Sequence, residues 1–256
     1  MIFPDDFNKI HLAACESTSD YVRQHLSRLE ADFPLMVSAG TQLSGHGRDG
    51  RGWFSAPDLG IYATFAFHLA AGSGLPLLAI TSGVAVAGML ASWTKREFAL
   101  KWPNDVLAAG KKIAGIICEN IVRAEKITCL VGIGINVNQQ AGDFPPDLQE
   151  RAGSLKTLTG VTWPLAEGRL RLAAALAARL KNLENGKSAG ILRQARRLSR
   201  SYLRRQISFN YQGQILRGEF CGLAADGALL LKVAGQETKF FYSGEWLERQ
   251  ELPAAD

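Results

Sequence analysis

The sequence predicts an α+β protein with two unequal parts, a mixed-sheet domain over residues 1–205 and a small β-barrel over residues 206–256. Two observations predict this division. Up to residue 205, short runs rich in β-branched and aromatic residues alternate with longer segments whose apolar residues recur at helical spacing. From Gln206 onward, short strands are separated by turn residues at Gly213, 225–227 and Gly235, a spacing typical of a small barrel.

In the first part, a helix is predicted to open at Ser17, because Asp20 follows three residues later in the pattern of a helix cap. Strands are predicted at residues 35–39 and 61–69. Residues 75–93 carry no charge and are long enough to span a membrane. Their hydroxyl and small side chains suit a buried helix equally well, so we predict a core helix there.

The second half of this part is predicted to continue the sheet and then to become helical. Pro103 excludes helix on its N-terminal side and the following Asn-Asp pair suits a turn. The predicted elements are strands at 98–102, 113–122 and 127–137, the last two joined by a turn at 123–126, and helices at 164–183 and 188–205, the first with Leu170, Leu172, Leu176 and Leu180 at near-helical spacing.

Composition and charge narrow the class of protein. The chain is 47% hydrophobic and 21% charged, as in ordinary globular proteins, with a formal net charge of +5. That charge favours acidic partners or anionic substrates but is too dispersed to indicate nucleic-acid binding. The four cysteines show no paired or metal-ligand spacing, and no signal peptide is recognisable, so we expect reduced thiols in a cytoplasmic protein without a membrane anchor.

The glycine-rich segment Q-L-S-G-H-G-R-D-G-R-G-W, residues 42–53, is the strongest functional signal. Its glycines allow a tight backbone and close approach to a ligand. Between them, Arg48 and Arg51 carry planar guanidinium groups that can bind phosphate or carboxylate through two hydrogen bonds. The segment does not match the glycine pattern of dinucleotide-binding folds, and we expect it to bind a phosphate or carboxylate group.

A second segment with several candidate functional residues, K-W-P-N-D-V-L-A-A-G-K-K-I-A-G, covers residues 101–115. It contributes Lys112 as a fixed positive charge and Asn104 and Asp105 as oxygens at a turn. Elsewhere, Ser17 and Thr18 open a helix, Gln42 can donate and accept at once, and Asn136 ends a strand. This set of polar and charged residues suits a site that holds a nucleotide phosphate against a carboxylate. The cations would stabilise the negative charge that builds on the phosphate during the reaction.

Four motifs together resemble those of biotin protein ligases, in order and spacing along nearly all of the chain. They are Q-x-x-G-x-G-R-x-G-R-x-W at 42–53, K-W-P-N-D at 101–105, K-I-A-G-I at 112–116 and G-I-G-I-N at 132–136. A-G-S-L at 152–155 resembles a further family segment near the nucleotide. The resemblance implies a catalytic domain related to class II aminoacyl-tRNA synthetases, followed by an SH3-like barrel.

The resemblance also implies a two-step reaction and a set of site residues. The carboxylate of biotin attacks the α-phosphate of ATP, with Mg²⁺, to give biotinyl-5′-AMP, and a lysine of a biotin carboxyl carrier domain then displaces AMP. Lys112 and Arg48 would be catalytic. The biotin-binding residues would be Ser17, Thr18, Ser19, Gln42, His46, Gly47, Arg48, Lys112 and Gly115, and the ATP-binding residues Arg48, Arg51, Trp53, Asn104, Asp105, Lys112 and Asn136. No metal ligands are assigned.

Two residues depart from the family pattern. Ser19 stands where the family commonly has Asn, and His46 stands where it commonly has Arg. Because the charge of a histidine is uncertain at neutral pH, we hypothesise weaker retention of the adenylate. Sixteen residues precede Ser17, too few for a helix-turn-helix domain, so we expect no DNA binding.

Three alternatives remain open at this point. Lipoate ligases share the fold and the adenylation chemistry, but their R-R-x-x-G-G-G-A-V segment is not found here. A protein that only senses biotin or a nucleotide would not need Lys112. RNA binding through the basic stretch 193–205 would need interleaved aromatic residues, of which that stretch has Tyr202 alone. A monomer and a homodimer are equally compatible with the sequence.

Overall fold

The computed structural model describes residues 7–69, 74–123, 126–233, 235 and 237–247, so the tip of the predicted turn at 123–126 lies outside the described residues. The strands in this part of the chain are β1 Asn8–Cys15, β2 Leu35–Gln42, β3 Gly60–Leu69, β4 Ala99–Lys101, β5 Asp105–Ala108, β6 Lys111–Arg123, β7 Lys126–Asn136, β8 Gln206–Tyr211, β9 Gln214–Leu223, β10 Leu229–Val233, β11 Thr238–Phe241 and β12 Glu245–Leu247. The helices are α1 Thr18–Gln24, α2 Leu26–Leu29, α3 Leu78–Thr94, α4 Leu155–Thr159, α5 Leu165–Glu184 and α6 Ser188–Leu198.

The first seven strands form one mixed sheet in the order β1-β2-β3-β7-β6-β5-β4, which confirms the predicted mixed sheet. Strands β1 and β2 run parallel, and the other neighbouring pairs run antiparallel. The long hairpin of β6 and β7 pairs Gly115 with Gly134, in the middle of the sheet. Because glycine has no side chain, this register leaves the backbone of two neighbouring strands uncovered at the same place.

Helices cover both faces of this sheet, and that explains why β3 and β7 are apolar on both sides. On one face, Phe65 and Phe67 of β3 pack in a core with α3, α5 and α6. On the other face, Val22 of α1 packs against Leu35 and Val37 of β2. Because α1 and α2 are short, they cover only part of their face. The uncovered part lies over β6 and β7.

The apolar stretch Leu75–Thr94 contains the core helix α3, as predicted. Among the described residues it is the one helix long and apolar enough to cross a membrane, and 67% of its most apolar window is buried inside the protein. Its side chains pack against the sheet and against α5 and α6. Burial in the core accounts for its composition.

Several sequence predictions need correction. The helix predicted at 188–205 ends at Leu198, where the buried hydroxyl of Ser199 donates to the carbonyl of Leu100 at 2.8 Å and ties the chain to β4. A separate turn of 3₁₀-helix follows at Arg200–Tyr202. Leu170 of α5 is 55% exposed and faces solvent rather than the core. Strands β1 and β5 and helix α4 were not predicted, and β4 is shorter than the predicted strand at 98–102.

The last five strands form an antiparallel sheet in the order β11-β10-β9-β8-β12. Phe209 and Phe220 fill its interior. The predicted turn residues are confirmed at Gly213, Gly227 and Gly235, whose φ angles of 85°, 90° and 71° favour glycine. One buried hydrogen bond links this sheet to the first, because the indole N–H of Trp102 donates to the carbonyl of Gly227 at 3.0 Å.

Candidate active site

A cavity of about 510 Å³ lies on the face of the first sheet that carries α1, between the sheet, the glycine-rich loop and the second sheet. Every site residue named from the sequence lines it. They are Ser17, Thr18, Ser19, Gln42, His46, Gly47, Arg48, Arg51, Trp53, Asn104, Asp105, Lys112, Gly115 and Asn136. Residues that are up to 119 positions apart therefore surround one space, and their individual roles remain predictions.

One end of the cavity, here called the hydroxyl end, is lined by Thr18, Ser19 and Gln42 and is backed by the buried Thr64 of β3. The hydroxyl of Thr64 lies 2.8 Å from that of Thr18 and 2.9 Å from that of Ser19. The side-chain oxygen of Gln42 accepts from the backbone N–H of Thr18 at 2.9 Å and from its hydroxyl at 3.0 Å. These groups are hydrogen-bonded to one another and nearly all buried, so this end is assembled without a ligand.

The start of α1 supplies the hydroxyl end, and the confirmed helix cap explains its geometry. Ser17 is the N-cap residue, and its hydroxyl accepts from the backbone N–H of Asp20 at 3.4 Å. Thr18 and Ser19 are the first residues of the helix. Their backbone N–H groups point along the helix axis toward the positive end of its dipole. A polar ligand in the cavity therefore meets donors from both backbone and hydroxyl groups.

The glycine-rich segment forms a compact loop closed by its own backbone. The N–H of Gly47 donates to the carbonyl of Arg51, and the N–H of Trp53 donates to that of Gly45, each at 2.7 Å. Gly50 at the tip has a φ of 71°, which favours glycine. A side chain at Gly45 would lie 2.8 Å from the amide nitrogen of Gln42. Glycine there lets the loop pack directly on the hydroxyl end.

Another part of the cavity wall, here called the arginine end, carries Arg48 and Arg51, and both contact the chain at Gly244 and Glu245. The guanidinium of Arg48 donates to the carbonyl of Gly244 at 3.1 Å. Arg51 forms an ion pair with Glu245, although its side chain is 52% exposed. Arg51 also lies 3.7 Å from the carboxylate of Asp49 in its own loop. The arginine end therefore brings two guanidinium groups to the cavity wall.

His46 replaces the arginine expected from the family pattern, and the structure places it beside α1. Its Nδ1 lies 3.7 Å from a carboxylate oxygen of Asp20. Asp20 is itself paired with Arg23, which also contacts Glu119 of β6 at 2.6 Å. The loop is thus connected to the helix that carries Thr18 and Ser19.

Trp53 covers the floor of the cavity. A Cβ atom added at Gly134 would lie 2.3 Å from the indole ring, and one added at Gly115 would lie 2.8 Å from it. The ring therefore packs directly on the two paired glycines of β6 and β7. Its indole N–H is buried and has no hydrogen-bond partner among the described residues. Its implied role in ATP binding stays a prediction.

Lys112 also lines the cavity. Its ammonium group is 2.8 Å from a carboxylate oxygen of Asp105 and 5.5 Å from the centre of the Trp53 ring. A register shift between β5 and β6, next to Leu107, sets its position in the strand. Its backbone is held by the segment before α4, because its N–H donates to the carbonyl of Arg151 at 2.7 Å and its carbonyl accepts from Gly153 at 3.0 Å.

The two asparagines of the predicted set bind backbone near Lys112. The amide of Asn104 donates to the carbonyl of Ile116 at 2.9 Å and so fixes the turn before β5. The amide of Asn136 donates to the carbonyl of Lys112 at 3.4 Å. Both side chains therefore shape the wall around the lysine.

Sequence reasoning did not assign several residues that line the cavity. Lys101 and Trp102 lie in the K-W-P-N-D motif, which was a usable signal. No local sequence signal marks the others, because they come from a loop and from the second sheet. These are Phe54, Phe144, Leu148, Glu150, Arg151, Glu245 and Trp246. Among the described residues, no group of three His, Cys, Asp or Glu side chains could hold a metal ion on its own.

Comparisons with known proteins agree with this arrangement. The model of the biotin/lipoate A/B protein ligase family matches residues 12–138, and the model of the biotin protein ligase C terminal domain matches residues 203–245. The first match covers α1, the glycine-rich loop, Lys112 and Asn136, and the second covers Glu245. The two matches therefore include both ends of the cavity.

Relatives extend the similarity beyond these motifs. The bifunctional ligase/repressor BirA of Bacillus spizizenii is 33% identical over 56% of this chain and 45% of its own length. The biotin–[acetyl-CoA-carboxylase] ligase of Mycobacterium tuberculosis is 31% identical over 51% of this chain and 49% of its own length. The chain thus spans about half the length of these curated relatives.

The solved structures cover more of the chain. The biotin protein ligase of Aquifex aeolicus, solved in complex with biotin and ATP, superposes with a TM-score of 0.79. It is 28% identical, and the match covers 94% of this chain and 97% of that one. The mixed sheet and the antiparallel sheet that follows it are shared along nearly the whole chain, and this chain belongs to the biotin protein ligase family.

Proposed function

We propose that this chain is an ATP-dependent ligase, a biotin–[biotin carboxyl carrier protein] ligase. It activates biotin as biotinyl-5′-AMP and transfers the biotinyl group to a lysine of a biotin carboxyl carrier domain. The observation that carries the proposal is that Lys112, paired with Asp105, lines the same cavity as a neutral hydroxyl end and a cationic arginine end.

The two ends differ in the chemistry that they can bind. The hydroxyl end offers hydroxyl, amide and helix N-terminal groups, which suit the uncharged ureido ring of biotin. The arginine end offers Arg48 and Arg51, which suit the phosphates of ATP. A biotin molecule bound at one end therefore directs its carboxylate toward the α-phosphate of a nucleotide bound at the other.

Lys112 and Arg48 act on the reacting atoms. When the carboxylate oxygen attacks the α-phosphorus, negative charge builds on the phosphoryl oxygens, and pyrophosphate leaves. Cations at fixed positions stabilise this charge more than they stabilise the separated substrates. Asp105 holds the ammonium of Lys112 in place at 2.8 Å. In the second step the carrier lysine attacks the carbonyl of the mixed anhydride, and AMP leaves.

The glycine-rich loop protects the intermediate. A mixed anhydride is hydrolysed by water, so the site must exclude solvent between the two steps. The loop is anchored at one side by Gly45 on the hydroxyl end and at the other by Gly244 and Glu245 of the second sheet. This supports a role of the second sheet in closing the loop over ATP.

Mg²⁺ fits the site as a companion of ATP rather than as a resident ion. Magnesium is usually bound by one or two carboxylates together with the phosphates of the substrate. Asp105 and Glu150 are the carboxylates on the cavity wall near Lys112, and they are the residues that would hold it. When bound, the ion would neutralise charge on the pyrophosphate.

Several further features belong to the same proposal. The catalytic domain is residues 1–205, of the class II aminoacyl-tRNA synthetase type, and the C-terminal domain is residues 206–256, an SH3-like barrel. The partner is an acidic carrier domain, no nucleic acid is bound, and the protein works in the cytoplasm as a monomer or homodimer. The net charge of +5 supports the acidic partner.

Pyrophosphate exchange into ATP tests the first step. The assay is run with Mg²⁺ and, in separate reactions, with biotin, with lipoate and with neither acid. We expect exchange that requires biotin. Exchange that requires lipoate would transfer the chain to the lipoate branch of the family. Absence of exchange from a folded protein that still binds biotin would indicate a sensor and refute the ligase.

A further inference from the structure

Gln139 lies just beyond β7, fully buried behind the cavity. Its side-chain nitrogen is 3.4 Å from the hydroxyl oxygen of Tyr62 and 3.4 Å from the side-chain oxygen of Asn136. Its backbone carbonyl accepts from the hydroxyl of Ser154 at 2.6 Å, which holds the residue in place. The side chain therefore joins Tyr62 of β3 to Asn136, a residue that lines the cavity.

The hydroxyl of Tyr62 determines which end of the Gln139 amide faces it. That hydroxyl donates to the carbonyl of Ala56 at 2.9 Å. Burial raises the pKa of Tyr62 above its usual range, so the group keeps its single proton. Because the proton is already used, Tyr62 can only accept from Gln139. The NH₂ group of Gln139, not its oxygen, must face Tyr62.

The same reasoning extends to Asn136. The two hydrogens of the Gln139 amide serve Tyr62 and Asn136, so the atom of Asn136 that faces Gln139 is an acceptor, its oxygen. The NH₂ group of Asn136 then points the other way, to the carbonyl of Lys112 at 3.4 Å and toward the cavity. Asn136 therefore presents hydrogen-bond donors, which suit phosphate or ribose oxygens and not a metal ion.

The free energy of folding does not explain a glutamine at this position. Its hydrogen bonds are long, and its side-chain oxygen is buried without a partner among the described residues. A buried acceptor without a partner opposes folding. An unbranched apolar side chain of the same length would fill the same space without that cost.

We propose that Gln139 is a positioning residue, which sets the orientation of the Asn136 amide so that its NH₂ group faces the nucleotide. The proposal rests on the proposed function, because it takes Asn136 as a nucleotide contact. Without the amide of Gln139, only the 3.4 Å contact with the carbonyl of Lys112 orients the Asn136 amide. Asn136 can then turn its oxygen toward the phosphates, and oxygen repels them.

The variant Gln139→Met tests the proposal, because it keeps the length of the side chain and removes its donors. We expect the Kd of an ATP analogue and the KM for ATP in the exchange reaction to rise about tenfold, as for loss of one hydrogen bond to a charged group. The Kd of biotin should not rise, and the melting temperature should not fall. The variant Gln194→Met, at an exposed glutamine of α6, is the control and should match the wild type.

The variant Gln139→Glu adds a pH profile that a purely structural role would not produce. A protonated carboxyl can donate one hydrogen bond to Asn136, whereas an ionised one only accepts. Burial raises the pKa of such a carboxyl, so ionisation occurs as pH rises. The KM of Gln139→Glu for ATP, divided by that of the wild type, should therefore increase with pH. For Gln139→Met this ratio should not depend on pH.

The outcomes separate this proposal from the proposed function. Wild-type exchange with biotin, together with a Gln139→Met protein that binds ATP like the wild type, would overturn the role of Gln139 alone. A Gln139→Met protein that loses biotin affinity and melting temperature to the same extent as ATP affinity would also overturn it, since the residue would then be structural. A wild-type protein that does not bind ATP would overturn both.

Discussion

The hydroxyl end and the arginine end of the cavity are built in opposite ways. At the hydroxyl end, Thr18, Ser19 and Thr64 are at most 4% exposed and are hydrogen-bonded to one another within a single domain. At the arginine end, Arg51 is 52% exposed and takes its carboxylate partner from the other sheet. Binding at the first end exchanges hydrogen bonds among buried groups, whereas binding at the second end brings an anion to charges that are partly exposed to solvent.

The difference shows how one cavity can suit two ligands of unlike chemistry. A neutral ring is recognised by the directions of its hydrogen bonds, which requires a pre-formed site. A polyphosphate is recognised mainly by charge, which tolerates exposed and flexible partners. Mutations should therefore affect stability and affinity together at the hydroxyl end, and affinity alone at the arginine end.

The largest effect on activity is expected for a change at Lys112. In the proposed mechanism, replacing Lys112 by Met removes the charge that stabilises the attacked phosphate, and kcat for pyrophosphate exchange should fall about 10²–10³-fold. The Kd of biotin, measured by calorimetry, should rise by a smaller factor than kcat falls, because the charge of Lys112 acts mainly on the transition state. The exposed Lys126→Met on the β6–β7 hairpin is the matched control. A variant that loses biotin affinity as strongly as activity would assign the lysine to substrate binding.

The next effect tests the pre-formed end. Thr18→Val keeps the shape of the side chain but removes the hydroxyl shared with Gln42 and Thr64. We expect the free energy of unfolding in urea to fall by about 1–2 kcal/mol and biotin to bind about tenfold more weakly. The control is Ser44→Ala, whose hydroxyl contacts Glu16 at the surface. A loss of affinity with unchanged stability would mean that this end is not assembled in advance.

A smaller effect is expected at the arginine end. Arg51→Gln should raise the KM for ATP about tenfold through the loss of one charged contact. It should leave the free energy of unfolding within about 0.5 kcal/mol, because the side chain is half exposed. The exposed Arg193→Gln on α6 is the control for net charge. If Arg51→Gln unfolded more readily than this control, the arginine end would contribute to stability as the hydroxyl end does, and the contrast between the two ends would be wrong.

The smallest effect concerns the partner of Arg51. Glu245→Gln removes a carboxylate that a bound triphosphate must displace, so the KM for ATP should fall about twofold at low salt, and 0.5 M NaCl should abolish the difference. A partly exposed ion pair contributes little to stability, so the melting temperature should stay close to that of the wild type. An increase in KM would instead show that the carboxylate helps to hold the loop closed.

The sequence allowed the hydroxyl end to be predicted more fully than the arginine end. The S-T-S-D helix start and Gln42 carry local signals, and the structure places them together. Glu245 is almost two hundred residues from Arg51, and nothing in its surroundings marks it as part of a site. Gln139 likewise looks like an ordinary polar residue after a strand, because its significance depends on a tyrosine and an asparagine that only the fold brings together.

The errors in the predicted elements have a similar physical origin. Strand β1 alternates only over its central residues and is nowhere fully buried, and its parallel pairing with β2 adds the stabilisation that its own residues do not supply. Helix α6 was extended too far because arginines are good helix formers, whereas a hydrogen bond from Ser199 to distant β4 redirects the chain. In both places a tertiary contact outweighs local propensity.

The packing of Trp53 on Gly115 and Gly134 also constrains how this sequence can evolve. An alanine at either glycine would collide with a rigid indole, and a smaller residue at position 53 would leave two bare strands open to water. Each single step is therefore unfavourable, although a joint change could be tolerated. The three positions are expected to vary as a unit, so a ligase of this family with a larger floor residue should also carry a smaller side chain in its loop.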